Sequence, residues 1–139
     1  MAQRDKIHEA VVVALEKAGW FVTDDPLIVQ SAGTTFKMDL GAEKFVLATK
    51  DTEQIAIEIK SLTKISLIYD FYEIFGQYIF YRDALNDENI NRTLHLAISN
   101  ISWKRIQKKP FLLKRIAQYD INILVIDKNA QIILEWIKQ

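Results

Sequence analysis

Gln54-Ile55-Ala56-Ile57-Glu58-Ile59-Lys60 alternates with a period of two. Ile55, Ile57 and Ile59 fall on one face of a strand, and Ala56, Glu58 and Lys60 fall on the other. Upstream, Lys44 to Thr49 is a second extended stretch, and Lys50-Asp51-Thr52-Glu53 is short enough to close a hairpin between the two. Counted from a turn at Asp51-Thr52, this hairpin sets Glu43 nearly opposite Lys60. A bend or bulge at Gly41 would instead carry Asp39, flanked by Met38 and Leu40, towards Glu58. Both registers stay open at this point.

Working outward, Ile7, Val11, Ala14, Leu15 and Ala18 follow helical spacing, which predicts a helix from about Asp5, as its cap, to Ala18, closed by Gly19. Trp20 to Thr23 reads as a short strand that Asp24-Asp25-Pro26 breaks, and Leu27 to Gln30 and Phe36 to Leu40 read as extended pieces around Ser31-Ala32-Gly33. Ser66 is placed to start a long helix to about Leu85, because Leu67, Phe71, Ile74, Phe75, Tyr78 and Leu85 share one stripe. Leu94, Leu96 and Ile98 alternate as a strand, and Ile121 to Ile126 is a strand apolar on both faces. Between them lie helical patterns over Ser102 to Gln107 and Pro110 to Gln118, Pro110 suiting a first turn. Strand, helix, strand implies a right-handed parallel crossover. The tail, Gln131 to Ile137, fits an edge strand or a short helix. The order predicts an α/β fold, a mixed β-sheet flanked by helices with an α-β-β-β-α-β core, in one domain over residues 1–139.

Composition narrows the chemistry. There is no cysteine and there are two histidines, His8 and His95, so thiol nucleophiles, disulfide scaffolds and nearly all structural zinc sites are excluded. Neither histidine has the Ser or Cys neighbours of a triad, and both read as structural. Apolar runs are far shorter than the roughly 20 residues of a membrane helix, and no separate signal core precedes the first helix, so a cytoplasmic protein is expected. Eighteen basic residues balance eighteen acidic ones, but the balance is uneven. From Asn89 to Tyr119 there are seven basic residues (Arg92, Lys104, Arg105, Lys108, Lys109, Lys114 and Arg115) and no acidic one. Such a segment can hold a polyanion or form a solvated helix face. Trp103, beside Lys104 and Arg105, can stack on a base or anchor its helix to the core.

On the strand, Glu58 and Lys60 point the same way. Two carboxylates meeting at one point suit a hard divalent cation such as Mg²⁺, and an adjacent ammonium can orient water or neutralise a phosphoryl group. That set of groups suits phosphodiester hydrolysis. An ordinary ion pair between neighbouring strand charges is the plainer alternative.

Asp39 followed by Glu58-Ile59-Lys60, in this element order, resembles the PD-(D/E)XK, restriction-endonuclease-like superfamily. The whole chain further resembles the XisH family, the fdxN element excision controlling factors of cyanobacteria. The closer match is carried by Ala2-Gln3-Arg4-Asp5-Lys6-Ile7-His8, Gly19-Trp20, Asp25-Pro26, Asp39-Leu40-Gly41-Ala42-Glu43-Lys44, Glu58-Ile59-Lys60-Ser61 and Gly76-Gln77-Tyr78-Ile79-Phe80-Tyr81-Arg82. The superfamily resemblance implies Asp39 and Glu58 as ligands of Mg²⁺ or Mn²⁺ and Lys60 as the catalytic lysine. Met38 stands where the name-giving proline would be. Gln77 and Tyr81 match a Q-x-x-x-Y element of the exonuclease-like branch, and Glu9 lies where some members place an extra acidic residue. Read from their helices, Gln77 and Tyr81 could line a cleft or form a local pair, and Glu9 falls on the polar face. The family resemblance implies a role in excision of a DNA element during heterocyst formation, with DNA and an XisI-type protein as partners. Lys104, Arg105, Lys108, Lys109, Lys114 and Arg115 are the expected DNA contacts, and a homo-oligomer stays open. A nuclease-like fold kept only for binding DNA or a partner is the second expectation.

Overall fold

Ile7, Ala10, Val11, Ala14 and Leu15 are buried along α1 (Lys6–Lys17) in a computed structural model that describes residues 6–63 and 65–139. The expected cap Asp5 lies outside the described residues. At the other end Gly19 takes a positive φ of 88°, and the Trp20 N–H donates to the Leu15 carbonyl at 3.0 Å, which closes the helix as the glycine predicts. The chain continues through β1 (Phe21–Asp24), β2 (Leu27–Ser31), β3 (Thr34–Met38), β4 (Leu40–Val46) and β5 (Asp51–Ile59). It then runs through α2 (Leu67–Asp87), β6 (Thr93–Ser99), α3 (Asn100–Gln107), α4 (Pro110–Gln118), β7 (Ile123–Asp127) and β8 (Ile132–Ile137).

Six strands form one mixed sheet in the order β1-β4-β5-β6-β7-β8, and β2 with β3 forms a separate hairpin. β5, β6 and β7 run parallel, joined through α2 and then through α3 and α4. The tail is the antiparallel edge strand β8, held where Trp136 meets Trp20 with ring centroids 5.8 Å apart. Alternation divides the core as expected. Ile55 and Ile57 pack with α1, Leu40, Ala97 and Leu124 on one face, while Ala56, Leu94, Leu96 and Val125 meet α2, α3 and α4 on the other.

Two local readings are corrected. The hairpin between β4 and β5 turns at residues 47–50, three residues before the expected turn, with Lys50 in the left-handed region at φ 58°. Phe45 and Leu47, which read as strand interior, are exposed at this end. The register is therefore Leu40 opposite Ile57 and Glu43 opposite Gln54, which takes Glu43 away from Lys60. Gly41 is also no bend, since it lies within β4 and the chain leaves one sheet for the other at Asp39. What Gly41 supplies is room: a Cβ there would stand 2.9 Å from the Arg92 guanidinium.

Candidate active site

β5 reaches its carboxyl end beside the junction of β3 and β4, and this brings Asp39 to Glu58. Asp39 Oδ2 accepts from the Ile59 N–H at 2.7 Å, and the Asp39 N–H donates to Glu58 Oε1 at 3.3 Å. Each of these bonds joins a side chain to a backbone N–H, and they begin where the pairing of β4 with β5 ends at Leu40 opposite Ile57, at a residue that belongs to neither β3 nor β4. Lys60 lies on the same side of the strand as Glu58, with Nζ 3.4 Å from Oε2, and its backbone N–H holds the Ala97 carbonyl of β6 at 3.0 Å. The three residues Asp39, Glu58 and Lys60 thus share one corner of the fold.

Glu58 is 6% exposed. Burial, and then the neighbouring Asp39 carboxylate, push its pKa up from 4.5 to about 8, while Lys60 pulls it down. Two acids and one ammonium leave this corner short of positive charge when both acids ionise, so a cation would favour the ionised pair. Among the described residues no group of three or more His, Cys, Asp or Glu side chains gathers as a metal site. Two carboxylates are nevertheless a donor set that fits Mg²⁺, which keeps several of its waters.

Tyr81 braces this corner from α2. Its hydroxyl donates to the Lys37 carbonyl at 3.0 Å, two residues before Asp39, and accepts from Gln77 Nε2 at 2.8 Å. Burial chiefly, then the Glu58 charge, raise the Tyr81 pKa. Gln77 and Tyr81 are thus a hydrogen-bonded pair on one helix face that also reaches β3, the strand that leads into Asp39. Glu9 is exposed on α1.

A family model for the XisH protein matches residues 1–134. A crystal structure of an XisH family protein from Nostoc punctiforme is 34% identical, with a TM-score of 0.86 over 96% of this chain and all of the other. That of an fdxN element excision controlling factor protein from Anabaena variabilis is 35% identical, with a TM-score of 0.86 over 97% of this chain and all of the other. The chain belongs to the XisH family. No curated protein sequence matches it significantly.

In this XisH-family chain the basic segment is divided between two places. Arg92 is turned inward: its guanidinium donates to the carbonyls of Ile55 at 3.0 Å and Ala42 at 3.4 Å and lies 3.5 Å from Asp24. The acid-free count therefore overstates the charge available to a polyanion by one. Lys104, Lys108, Lys109 and Lys114 are exposed on α3, α4 and their joint. Arg105 donates to the Leu62 carbonyl in the loop that leaves Lys60, and Arg115 lies over the Phe111 ring at 4.5 Å. Trp103 packs its half-buried ring against the α2-side core and so anchors its helix. His8 bonds Asp25 at 3.0 Å.

A further cation in the XisH-family fold has no counterpart in the reading of the sequence. Lys128, directly after β7, shares with Lys60 the lining of a cavity of about 460 Å³. The signal was available in the predicted parallel strands, because residues that follow such strands gather at one edge.

Among the described residues no helix is long and apolar enough to cross a membrane.

Proposed function

We propose that this XisH-family protein is a controlling factor for the programmed excision of a DNA element, and that it acts as a Mg²⁺-dependent, restriction-endonuclease-like DNA nuclease. The observation that carries the reading is the meeting of Asp39, Glu58 and Lys60, with Glu58 Oε1 on the Asp39 amide at 3.3 Å and Glu58 Oε2 at 3.4 Å from Lys60 Nζ. The reading takes residues 1–139 as one PD-(D/E)XK domain in the cytoplasm of a heterocyst-forming cyanobacterium.

Asp39 and Glu58 would hold the Mg²⁺ or Mn²⁺, which when bound polarises a phosphoryl oxygen and makes a nearby water more acidic. Lys60 offsets the charge that grows on the phosphoryl oxygens as water attacks phosphorus and the P–O ester bond breaks. Tyr81 and Gln77 keep the Asp39 segment in register, since small displacements of a reacting group cost rate steeply. Lys104, Arg105, Lys108, Lys109, Lys114 and Arg115 would hold the DNA backbone, and the Arg105–Leu62 bond ties these helices to the loop after Lys60. The test is cleavage of duplex and single-stranded DNA with Mg²⁺ or Mn²⁺. Wild type is expected to cut and Lys60→Ala to fold but to cut at least about 10²-fold more slowly; cleavage near the wild-type rate in the variant removes the assignment.

One observation favours a second reading. A groove of about 680 Å³ between the start of α2 and the α3–α4 joint exposes Ile65, Ile68 and Phe111 beside Arg105, Lys108 and Lys109. Apolar side chains among cations suit a protein surface better than bare phosphates. On this reading the fold is a catalytically silent module that binds DNA or an XisI-type partner. It predicts no turnover with either cation, and loss of function on substitution of groove residues.

A further inference from the structure

The parallel strands β5, β6 and β7 all end at the edge of the sheet where Lys60 stands. Ser61 and Thr63 after β5, Ser99 at the end of β6 with Ser102 in the first turn of α3, and Lys128 after β7 line the cavity of about 460 Å³ that Lys60 also lines. Donors therefore converge from three consecutive crossings of the sheet.

Lys128 is the informative member. It is half-buried, and no ion pair or hydrogen bond engages its ammonium among the described residues. The nearest acid in sequence, Asp127, is committed elsewhere: its Oδ1 accepts from the N–H groups of Asn129 and Ala130, both at 2.9 Å. Those bonds, with the Gln131 N–H on the Asp127 carbonyl at 2.8 Å, fix the turn on which Lys128 sits. Lys17 clamps the same turn by donating to the Ala130 carbonyl at 3.0 Å. A half-buried lysine on a hydrogen-bonded turn, lining a cavity together with a second lysine and the hydroxyls of Ser61, Thr63 and Ser102, while Ser99 Oγ is engaged with Ser102, calls for an anion with several acceptor oxygens.

We propose that this cavity is a subsite for a backbone phosphate of the bound DNA strand, with Lys128 as its cation and Ser61 and Thr63 as hydroxyl donors. The proposal rests on the reading of Asp39, Glu58 and Lys60 as the cleavage site, and it gives that site a neighbouring phosphate that sets the strand's position. Lys128 is a binding residue here, placed to hold the strand while Lys60 serves the reacting phosphate.

The experiment measures DNA affinity of the full chain by fluorescence anisotropy in EDTA, where no cleavage intervenes, over a range of NaCl concentrations. Lys128→Gln is compared with Lys50→Gln, which removes the same charge at the opposite, exposed end of the β4–β5 hairpin. One lost phosphate contact should lower the slope of log affinity against log salt by about 0.7–0.9. Lys128→Gln is expected to show that fall, with affinity several-fold weaker and an unchanged melting temperature, while Lys50→Gln keeps the wild-type slope. Equal slopes in wild type and Lys128→Gln overturn the subsite and leave the cleavage site standing. A second arm titrates wild type and Lys128→Gln with inorganic phosphate and follows the backbone amide resonances of Ser61, Thr63 and Ser102. Saturable shifts in wild type alone, in a protein that fails to bind DNA, would keep the phosphate site and sink the DNA reading. Absence of shifts together with absence of DNA binding overturns both.

Discussion

Glu58 and His95 sit on adjacent parallel strands, Glu58 opposite Leu96 and His95 opposite Ile57, and both are almost fully buried. Burial disfavours the charged form of each, so the pKa of Glu58 rises to about 8 and that of His95 falls to about 4. Their surroundings then diverge. His95 meets the Trp136 ring edge-on at 5.1 Å, its Nδ1 contacts the Thr93 carbonyl of its own strand, and its Nε2 finds no partner among the described residues. Glu58 is met by a second carboxylate from the junction of β3 and β4 and by an ammonium from the residue after its own strand, and a tyrosine on α2 braces the segment that carries the second carboxylate. Burial by itself therefore does not mark a site in this fold; convergence of charge from several elements does.

The contrast can be broken at its strongest point first. Lys60→Ala should lower Mg²⁺-dependent cleavage by about 10²–10³-fold or more, the scale for removing one transition-state contact, whereas His95→Leu should leave the rate within about two-fold. Cleavage assays with both variants check this, and similar losses in the two would erase the distinction between site and core.

The pH dependence of stability sharpens it. The folded pKa of Glu58 lies above its unfolded value of 4.5, so its contribution is complete below pH 4.5 and is lost as pH rises through about 8. The folded pKa of His95 lies below its unfolded value of 6.5, so its contribution is present above pH 6.5 and is lost as pH falls through about 4. Between pH 4.5 and 6.5 the two slopes oppose each other, and between 6.5 and 8 the Glu58 slope stands alone. Metal-free protein should lose stability across that upper window at up to about 1.4 kcal/mol per pH unit. Urea unfolding in EDTA is the measurement; Glu58→Gln should flatten the upper window, and His95→Leu should uncover a falling slope between pH 4.5 and 6.5.

The smallest effect is expected at the brace. Tyr81→Phe removes one hydroxyl that both donates and accepts, which should cost about 1 kcal/mol of stability. Cleavage should fall several-fold, and the same denaturation and cleavage assays read both. A stability loss with an unchanged rate would make Tyr81 a packing residue of the His95 kind.

The alternation of Ile55, Ile57 and Ile59, the stripe on α2, Pro110 in the first turn of α4 and the strand at Leu94 to Ile98 were all legible, because each is written in spacing within one element. The β4–β5 turn was not, since Thr49-Lys50 and Asp51-Thr52 are equally good turn formers and exposed Phe45 and Leu47 imitate buried strand. That three-residue ambiguity decided whether Glu43 or Asp39 came near Glu58, and only the pairing of Leu40 with Ile57 resolves it. Arg92 shows another limit: a charge count cannot tell a guanidinium that bridges three strands from one that meets solvent. Lys128 comes to line one cavity with Lys60 only through the order of the parallel strands, which sequence spacing implied but did not rank.

Divalent-cation binding tests the central claim most directly. Calorimetric titration of the DNA-free protein with Mn²⁺ at pH 8, where about half of Glu58 is ionised before the cation binds, should reveal a saturable site. Asp39→Asn and Glu58→Gln should abolish it, while Glu43→Gln and His95→Leu should retain it. Absence of saturable binding in wild type, or binding unchanged in both Asp39→Asn and Glu58→Gln, would contradict the account.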